Sequence, residues 1–264
     1  MRKAFLAIAA AMMGIFFVGC NNGKEIEPDR DVANKIIGKW MVAERDGHAA
    51  LTNKKAVFTF VSVTKAYQSA SLNWHSGVSS IWIQNEEYDV AIDDNRVTLT
   101  TQRDEHTMSV HEFTVTAIDG SKFTANHMLI VTNDGNVVFT DEDIVRYEIV
   151  TADYSAAILG TWQGHCTSEG SVFDDGQEHR WQYNTDGNFV YYVKDGDNWV
   201  PSANTLNQYF VDGNLLCTRW VDNGEEHREW WEIAIDGSQM HWTALREDEN
   251  GQRFTATFEM SKVN

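Results

Sequence analysis

The residues best suited to metal or acid–base chemistry cluster between positions 165 and 179. This stretch contains six side chains of the kinds that bind zinc or move protons, namely His165, Cys166, Glu169, Asp174, Asp175 and His179. Successive residues of a strand point to opposite faces, so His165 and Cys166 do not share one set of ligands, and their spacing repeats no zinc pattern. We therefore predict no metal site and no cofactor, and we interpret the acids as solvated loop residues.

The sequence also offers little that would form a catalytic site. Asp104, Glu105 and His106 are consecutive but lack a nucleophile, and no Gly-x-Ser-x-Gly elbow occurs. Acidic residues are abundant, so a glycosidase-like pair of carboxylates stays open, because its spatial separation cannot be read from sequence. We expect a protein that is not an enzyme and assign no catalytic residue.

The aromatic residues are the more informative set, because seven of the ten tryptophans follow residue 151. Two interpretations stay open: a bulkier core, or a wall for a flat or apolar ligand or for sugar rings. The candidate ligand-binding residues are Trp181, Tyr183, Tyr191, Trp220, Trp231 and Trp242.

These aromatic residues lie in the second copy of an internal duplication. The segment at 36–40 reads IIGKW and returns as ILGTW at 158–162, while AIDGS at 117–121 returns unchanged at 234–238. Both pairs occur in the same order with nearly the same offset. The sequence therefore predicts two related domains, at 31–150 and 151–264.

Each copy has the pattern of an all-β domain. Asp-Gly and Asn-Gly dipeptides punctuate the second copy from Asp175 to Gly251, and these pairs tolerate the positive φ of tight hairpins. Short β-rich runs lie between them. We predict two tandem up-and-down antiparallel β-barrels, each preceded by a short helix, at 31–37 and 152–159.

The first thirty residues have the pattern of an export signal. Arg2 and Lys3 precede an apolar run at 4–18, which ends at Gly19-Cys20 and resembles the lipobox of bacterial lipoproteins. The resemblance implies a lipoprotein signal peptide at 1–19, lipidation of Cys20 and a flexible tether at 20–30. It also implies anchoring by N-terminal acyl chains in the outer membrane of a Gram-negative bacterium, on the periplasmic face or the cell surface.

The net charge limits the choice of partners. Without residues 1–19 the chain keeps 19 basic and 39 acidic residues, a net charge of −20. An acidic surface of this size disfavours nucleic acid and anionic lipid head groups. We expect no nucleic-acid partner, and membrane attachment through the acyl chains alone.

The Gly-x-Trp motif after each predicted helix resembles the lipocalin-like domains of bacterial envelope lipoproteins. The matching residues are Gly38 and Trp40 in the first copy and Gly160 and Trp162 in the second. The resemblance implies a barrel that holds a small apolar ligand, with the glycine packed closely at its floor and the tryptophan plugging it. It also implies a basic side chain over the tryptophan, which the sequence alone does not place.

Three residues of the second copy leave alternatives open. Cys166 and Cys217 are both expected to point into the barrel, either bridged by a disulfide or as two buried thiols. Glu232 aligns with Val115. Either Glu232 faces the interior, or a bulge shifts the register so that Trp231, Ile233 and Ile235 do, which avoids an unpaired buried carboxylate.

Together these features favour a lipid-anchored binding protein whose second barrel holds a small apolar or amphipathic ligand. A surface carbohydrate-binding or scaffold module is the first alternative, and it expects aromatic residues such as Trp199 and Trp220 in a row on the outer face. A hydrolase with paired acids is the second.

Overall fold

The computed structural model describes residues 32–72, 81–168 and 174–263. The expected signal peptide at 1–19, the lipidation site at Cys20 and the tether at 20–30 lie outside these ranges. Within them, no helix has the length and apolar character needed to span a membrane.

The two copies form two antiparallel sheets, as the turn spacing predicts. The first copy contains helix α1 (Val32–Lys35), a 3-10 helix (Thr52–Lys54) and strands β1 (Gly38–Arg45), β2 (His48–Ala49), β3 (Ala56–Ser62), β4 (Lys65–Leu72), β5 (Ile81–Asp93), β6 (Arg96–Gln102), β7 (Thr107–Ile118), β8 (Lys122–Asn133) and β9 (Asn136–Ile149). The second contains strands β10 (Gly160–Cys166), β11 (Glu178–Tyr183), β12 (Phe189–Asp195), β13 (Asn198–Pro201), β14 (Thr205–Asp212), β15 (Leu215–Asp222), β16 (Glu225–Asp236), β17 (Gln239–Glu247) and β18 (Arg253–Val263).

The first sheet closes into an eight-stranded barrel. Its strands follow one another in sequence order, and β1 pairs with β9, for example Val42 opposite Tyr147. Aromatic rings fill its interior: Phe123 packs on Trp40 at 5.1 Å and on Tyr147 at 4.5 Å between ring centroids, and Phe58 lies 5.7 Å from Phe113. The first barrel is therefore a packed core.

The second sheet curls into a half-barrel whose edges do not form a ladder. Its order is β13-β12-β11-β10-β18-β17-β16-β15-β14. The edge strand β14 meets the chain just before β12, next to the other edge, at an isolated bridge between Asn188 and Gln208, beside a hydrogen bond of 2.9 Å from the Tyr209 N–H to the Gly187 carbonyl. Both predicted barrels are thus present as all-β units. The second is open along part of its seam, the line along which the two ends of the curled sheet approach each other.

The Gly-x-Trp motif forms the same contact in both copies. The Trp40 indole donates to the carbonyl of Ile36, and the Trp162 indole donates to the carbonyl of Ile158, each at 2.6 Å. The glycine of the motif has a φ of +145° at Gly38 and of +110° at Gly160, a backbone conformation that residues with a side chain rarely adopt. The motif thus ties the preceding turn to the first strand of each barrel.

The turn before the second barrel differs from the prediction. The expected helix at 152–159 is a single turn, in which the Ile158 N–H donates to the Tyr154 carbonyl at 3.0 Å. A segment this short gains too few backbone hydrogen bonds to propagate a helix.

The orientation of β16 resolves the question posed by Glu232. Trp231 and Ile233 lie in the core of the second barrel, and Glu232 points outward to Lys55 of the first, with 2.7 Å between Nζ and Oε1. The bulge that separates the two alignments lies in the first copy, between Val115 and Ala117 of β7. The interior of the second barrel therefore avoids a buried carboxylate at this position.

A third apolar cluster joins the two barrels. Met41 and Val57 of the first barrel pack with Phe210, Leu215, Cys217 and Trp230 of the second. The Trp230 indole donates to the Ser71 carbonyl, and the Leu245 N–H donates to Thr52 Oγ1 at 2.9 Å. The outer face of β15 and β16 is therefore buried against the first barrel.

Candidate functional site

The second half-barrel encloses a cavity of about 320 Å³. Small-molecule sites typically measure roughly 300–1,000 Å³, so this cavity suits a small ligand. Its lining side chains come from six strands of the curled sheet and two neighbouring loops, and are Asp175, His179, Trp181, Phe189, Tyr191, Asn204, Thr218, Trp220, Glu229, Trp231, Trp242 and Phe258.

Strand register brings the aromatic rings of the cavity together. Trp181 of β11 lies opposite Tyr191 of β12, and Trp242 of β17 lies opposite Phe258 of β18. Directly opposed residues share a face of the sheet, so both pairs point inward. Trp231 of β16 completes the group from the same concave side.

The rings form one continuous wall. The Trp242 ring centroid lies 4.9 Å from that of Trp181 and 5.3 Å from that of Trp231. Phe258 contacts Trp231 at 5.3 Å and Trp242 at 5.8 Å. Aromatic faces of this kind stack with flat or apolar molecules and gain more than area burial alone provides.

At one end of the aromatic wall lies a group of polar side chains that are hydrogen-bonded to one another. His179 places Nε2 3.1 Å from the Asp175 carboxylate and Nδ1 2.9 Å from the Tyr191 hydroxyl, and its ring stacks on Trp181 at 5.5 Å. Burial, together with the Asp175 charge, raises the pKa of Tyr191, so its hydroxyl stays protonated. Asp175, interpreted from sequence as a solvated loop acid, is an exposed loop residue that also lines the cavity, and His179 lies half-buried beside it.

Glu229 places a second carboxylate at the cavity. Burial raises its pKa above the ordinary value, against the opposing charge of Arg246. The Arg246 guanidinium forms an ion pair with Glu229 and lies 4.9 Å over the Trp231 ring. Both carboxylates of the site are thus held beside a basic side chain.

Five of the six predicted ligand-binding residues line the cavity, and the sixth, Tyr183, is not part of its lining. Tyr183 is 1% exposed and packs on Tyr209 at 4.8 Å between ring centroids. Trp220 lines the cavity with its ring stacked on His227 at 5.5 Å. Trp199 lies away from the cavity, under the Arg180 guanidinium at 4.5 Å. Ligand binding by these side chains stays a prediction.

The two cysteines correct a prediction about the second barrel. Cys166 belongs to the core of that barrel, but Cys217 belongs to the cluster between the barrels. They are not bonded to each other, because strand alternation on β15 turns Leu216 and Thr218 inward and Cys217 outward. The expected shared interior and the possible disulfide are therefore wrong.

The first barrel holds a buried polar network that sequence reasoning missed. His111 Nδ1 lies 3.0 Å from His127 Nε2, and His127 Nδ1 lies 3.0 Å from Asp143, which also binds Arg45. Burial, with the charges of His127 and Arg103, holds the pKa of His111 well below its usual value. The only sequence feature that could have indicated this network is that both histidines occupy inward positions of β7 and β8.

Strand alternation separates the first two residues of the cluster between positions 165 and 179. His165 is exposed and Cys166 is buried, on opposite faces of β10, and Glu169 lies outside the described residues. Among residues 32–72, 81–168 and 174–263, no group of three or more His, Cys, Asp or Glu side chains could hold a metal ion.

Comparisons with known proteins do not place the chain in a family. No family model matches it, and no curated protein does. One similar solved structure is a protein of unknown function from the DUF3598 family of Nostoc punctiforme, 10% identical over 88% of this chain and 98% of that chain, with a TM-score of 0.21. Another is a tryptophan-to-alanine mutant of the vaccine antigen Transferrin Binding Protein B from Haemophilus parasuis, 12% identical over 86% of this chain and 75% of that chain, with a TM-score of 0.24. The fold assignment rests on the strand order of this chain itself.

Proposed function

We propose that this chain is a non-catalytic, lipid-anchored protein of the cell envelope that binds a small apolar or amphipathic ligand in its second barrel. The observation that carries the proposal is the aromatic cavity of about 320 Å³. Its rings are not required by the fold, since Ala125 occupies the position of Trp242 in the first copy. The first barrel instead fills its interior with its own side chains.

The floor of the second barrel supports a lipocalin-like assignment. Lys262 Nζ lies 5.1 Å over the Trp162 ring, where the resemblance implies a basic side chain. Lys262 is directly opposite Trp162 in the pairing of β10 and β18, whereas Ile149 is opposite Trp40 in the first barrel. The second copy thus keeps more of the lipocalin-like pattern.

Binding is tested with N-phenyl-1-naphthylamine, an uncharged amphipathic dye that fluoresces in apolar surroundings. We expect the full chain to enhance its emission, and Trp231→Ala to weaken its affinity at least about tenfold, because truncating a buried aromatic anchor costs this much in other sites. The matched control is Trp199→Ala, since that ring lies outside the cavity beside Arg180. Equal affinities for wild type and Trp231→Ala would reject the cavity as the site.

The membrane anchor is a separate part of the proposal and has its own test. Cells expressing the full chain are grown with an alkyne-tagged fatty acid, and the tag is detected on the purified protein. We expect label on the wild type and none on Cys20→Ala, which would then leave the membrane fraction. Equal labelling of the two proteins would reject lipidation at Cys20.

The cavity also motivates a second candidate function, acid–base hydrolysis of a glycoside. Asp175 and Glu229 line the same cavity, and their environments move their pKa values apart: Glu229 above its ordinary value and Asp175 below. Such divergence assigns acid and base roles in glycosidases. Hydrolysis of 4-nitrophenyl glycosides that is lost in both Glu229→Gln and Asp175→Asn would favour this function over binding.

The surface carbohydrate-binding alternative receives less support. It expects Trp199 and Trp220 in one row on the outer face, but Trp220 faces the cavity. Glycan-array binding that is lost in Trp199→Ala and kept in Trp231→Ala would revive it.

A further inference from the structure

The charged side chains around the cavity of the second barrel are mostly acidic. The lining that the structure describes holds two carboxylates, Asp175 and Glu229, together with one histidine and neither lysine nor arginine. Asn204 and Thr218 add uncharged polar groups, which can accompany a ligand of either sign. A ligand carboxylate or phosphate would meet both acids here, in a chain with a net charge of −18. The lining therefore disfavours anionic ligands.

One of the two carboxylates is balanced by the protein itself. Glu229 forms an ion pair with Arg246, and the Arg246 guanidinium lies 4.9 Å over the Trp231 ring. The face of a tryptophan ring attracts a cation, and it does so more strongly where water is excluded. The pair with Arg246 leaves Glu229 without an uncompensated charge, and a ring of this cavity already receives a positive group on its face.

The other carboxylate, Asp175, is held by neutral groups. It accepts from the Gln177 N–H at 2.9 Å and lies 3.1 Å from His179 Nε2. With the His179 ring neutral, Nε2–H donates to Asp175 and Nδ1 accepts from the Tyr191 hydroxyl at 2.9 Å, so both nitrogens are satisfied. Burial opposes ionisation, but the Gln177 hydrogen bond and His179 hold the pKa of Asp175 below its ordinary value. In this arrangement Asp175 keeps a negative charge that no full positive charge balances.

Aromatic faces lie beside this charge. The Asp175 side chain is 44% exposed and also lines the cavity, which places it where the cavity meets solvent. The His179 ring, bonded to it, stacks on Trp181 at 5.5 Å between centroids, and Trp181 lies 5.4 Å from Tyr191. A weakly hydrated organic cation gains from the ring faces and from the carboxylate together, whereas a neutral ring gains only from the faces.

We propose that the second barrel binds a small aromatic cation, with its rings against the tryptophan wall and its positive charge at Asp175. This inference rests on the proposed binding function and specifies the charge of its amphipathic ligand. The cavity of about 320 Å³ is at the lower end of the range for small-molecule sites, so the ligand is a compact one.

The test compares three probes of nearly the same shape on the intact protein: 1-methylquinolinium, 1-methylnaphthalene and 1-naphthoate. The first carries a fixed positive charge, the second is its uncharged counterpart and the third is an anion. Dissociation constants are measured by equilibrium dialysis at about 0.15 M salt, where the charges of the outer surface are largely screened. We expect the cation to bind about three- to thirtyfold more tightly than the neutral probe, the range that a cation–aromatic contact supplies, and the anion to bind most weakly.

Asp175→Asn keeps the shape of the side chain and its ability to accept hydrogen bonds, but removes the charge. We expect this variant to lose most of the preference for the cation and to keep its affinity for 1-methylnaphthalene. The matched control is Glu178→Gln, which removes the same charge from an exposed residue of β11 that pairs with Lys194. The preference should persist in this control.

Equal or tighter binding of 1-methylnaphthalene or 1-naphthoate to wild type would overturn the inference and leave the proposed function standing. A preference for the cation that Asp175→Asn retains, or that Glu178→Gln loses equally, would also overturn it, because the charge at Asp175 would then not be its source. Failure of all three probes, with N-phenyl-1-naphthylamine still bound, would overturn the inference alone. Failure of the dye as well would reject the proposed function.

Discussion

The buried histidine of the first barrel gives a pH dependence of stability that the structure specifies in sign. His111 is 4% exposed, stacks on Phe113 and bonds to His127. Its Nε2 has no hydrogen-bond partner among the described residues. Protonating this ring inside the barrel would therefore create a charge that nothing opposite stabilises, and Arg45 and Arg103 add repulsion.

The sign follows from where the proton binds. The pKa of His111 in the folded protein lies well below the ordinary histidine value of 6.5, which the unfolded chain keeps. Below pH 6.5 the unfolded state binds a proton that the folded state excludes, so the free energy of unfolding falls as pH falls. The slope is about 1.4 kcal/mol per pH unit. Between pH 6.5 and 5.0 the loss from this group is roughly 2 kcal/mol.

The assay is urea unfolding followed by circular dichroism at several pH values between 5.0 and 7.5. His111→Phe fits a site already lined by Phe58, Phe113 and Tyr88 and removes the titrating ring. We expect the variant to be less stable than wild type at pH 7.5, because His127 loses a partner, but to lose less stability on acidification. The control is His241→Gln, at an exposed pair with Glu259. Parallel pH profiles for wild type and His111→Phe would refute the reasoning.

Three further outcomes follow from single contacts. Gly164→Ala should destabilise the protein by at least about 2 kcal/mol in thermal unfolding, because the new Cβ would lie 1.9 Å from the Glu259 carbonyl oxygen. Cys217, whose pKa burial raises, should react with a disulfide reagent only after unfolding; labelling of the native protein would contradict its burial between the barrels. Trp230→Phe should cost about 1–3 kcal/mol in urea unfolding, since it leaves the Ser71 carbonyl without its donor. An unchanged urea midpoint for this variant would show that a water molecule replaces the indole as the hydrogen-bond donor.

Period-two patterns and turn residues were sufficient to predict most of the fold. They identify strands and hairpins from local chemistry, and the repeated Gly-x-Trp motif aligns the two copies. The excess of aromatic residues in the second copy singled out Trp181, Tyr191, Trp231 and Trp242 as candidates, and the strand register places them on one concave face. Composition thus indicated which rings to consider, but neither their shared surface nor the volume between them.

The features that could not be predicted from the sequence depend on contacts between distant parts of the chain. One extra residue at the bulge in β7 reverses the alternation upstream of it, so Val115 and Glu232 align in sequence but face opposite ways. Cys217 was expected inside the barrel because it shares a strand face with Leu215, but both residues are buried against the first barrel instead. No pattern within a single strand distinguishes burial inside a barrel from burial against a neighbour.

The opening of the second seam explains the cavity of this copy. In the first barrel, pairing of β1 with β9 closes the sheet and draws its walls onto the rings inside. In the second, β13 is four residues long and ends at Pro201, which lacks the N–H that a continued ladder needs. The three residues 202–204 then carry the chain across to β14, and Asn204 lines the cavity. The short edge strand thus limits closure, the tryptophans cover the space that remains, and one fold accommodates both a packed core and an aromatic-lined cavity.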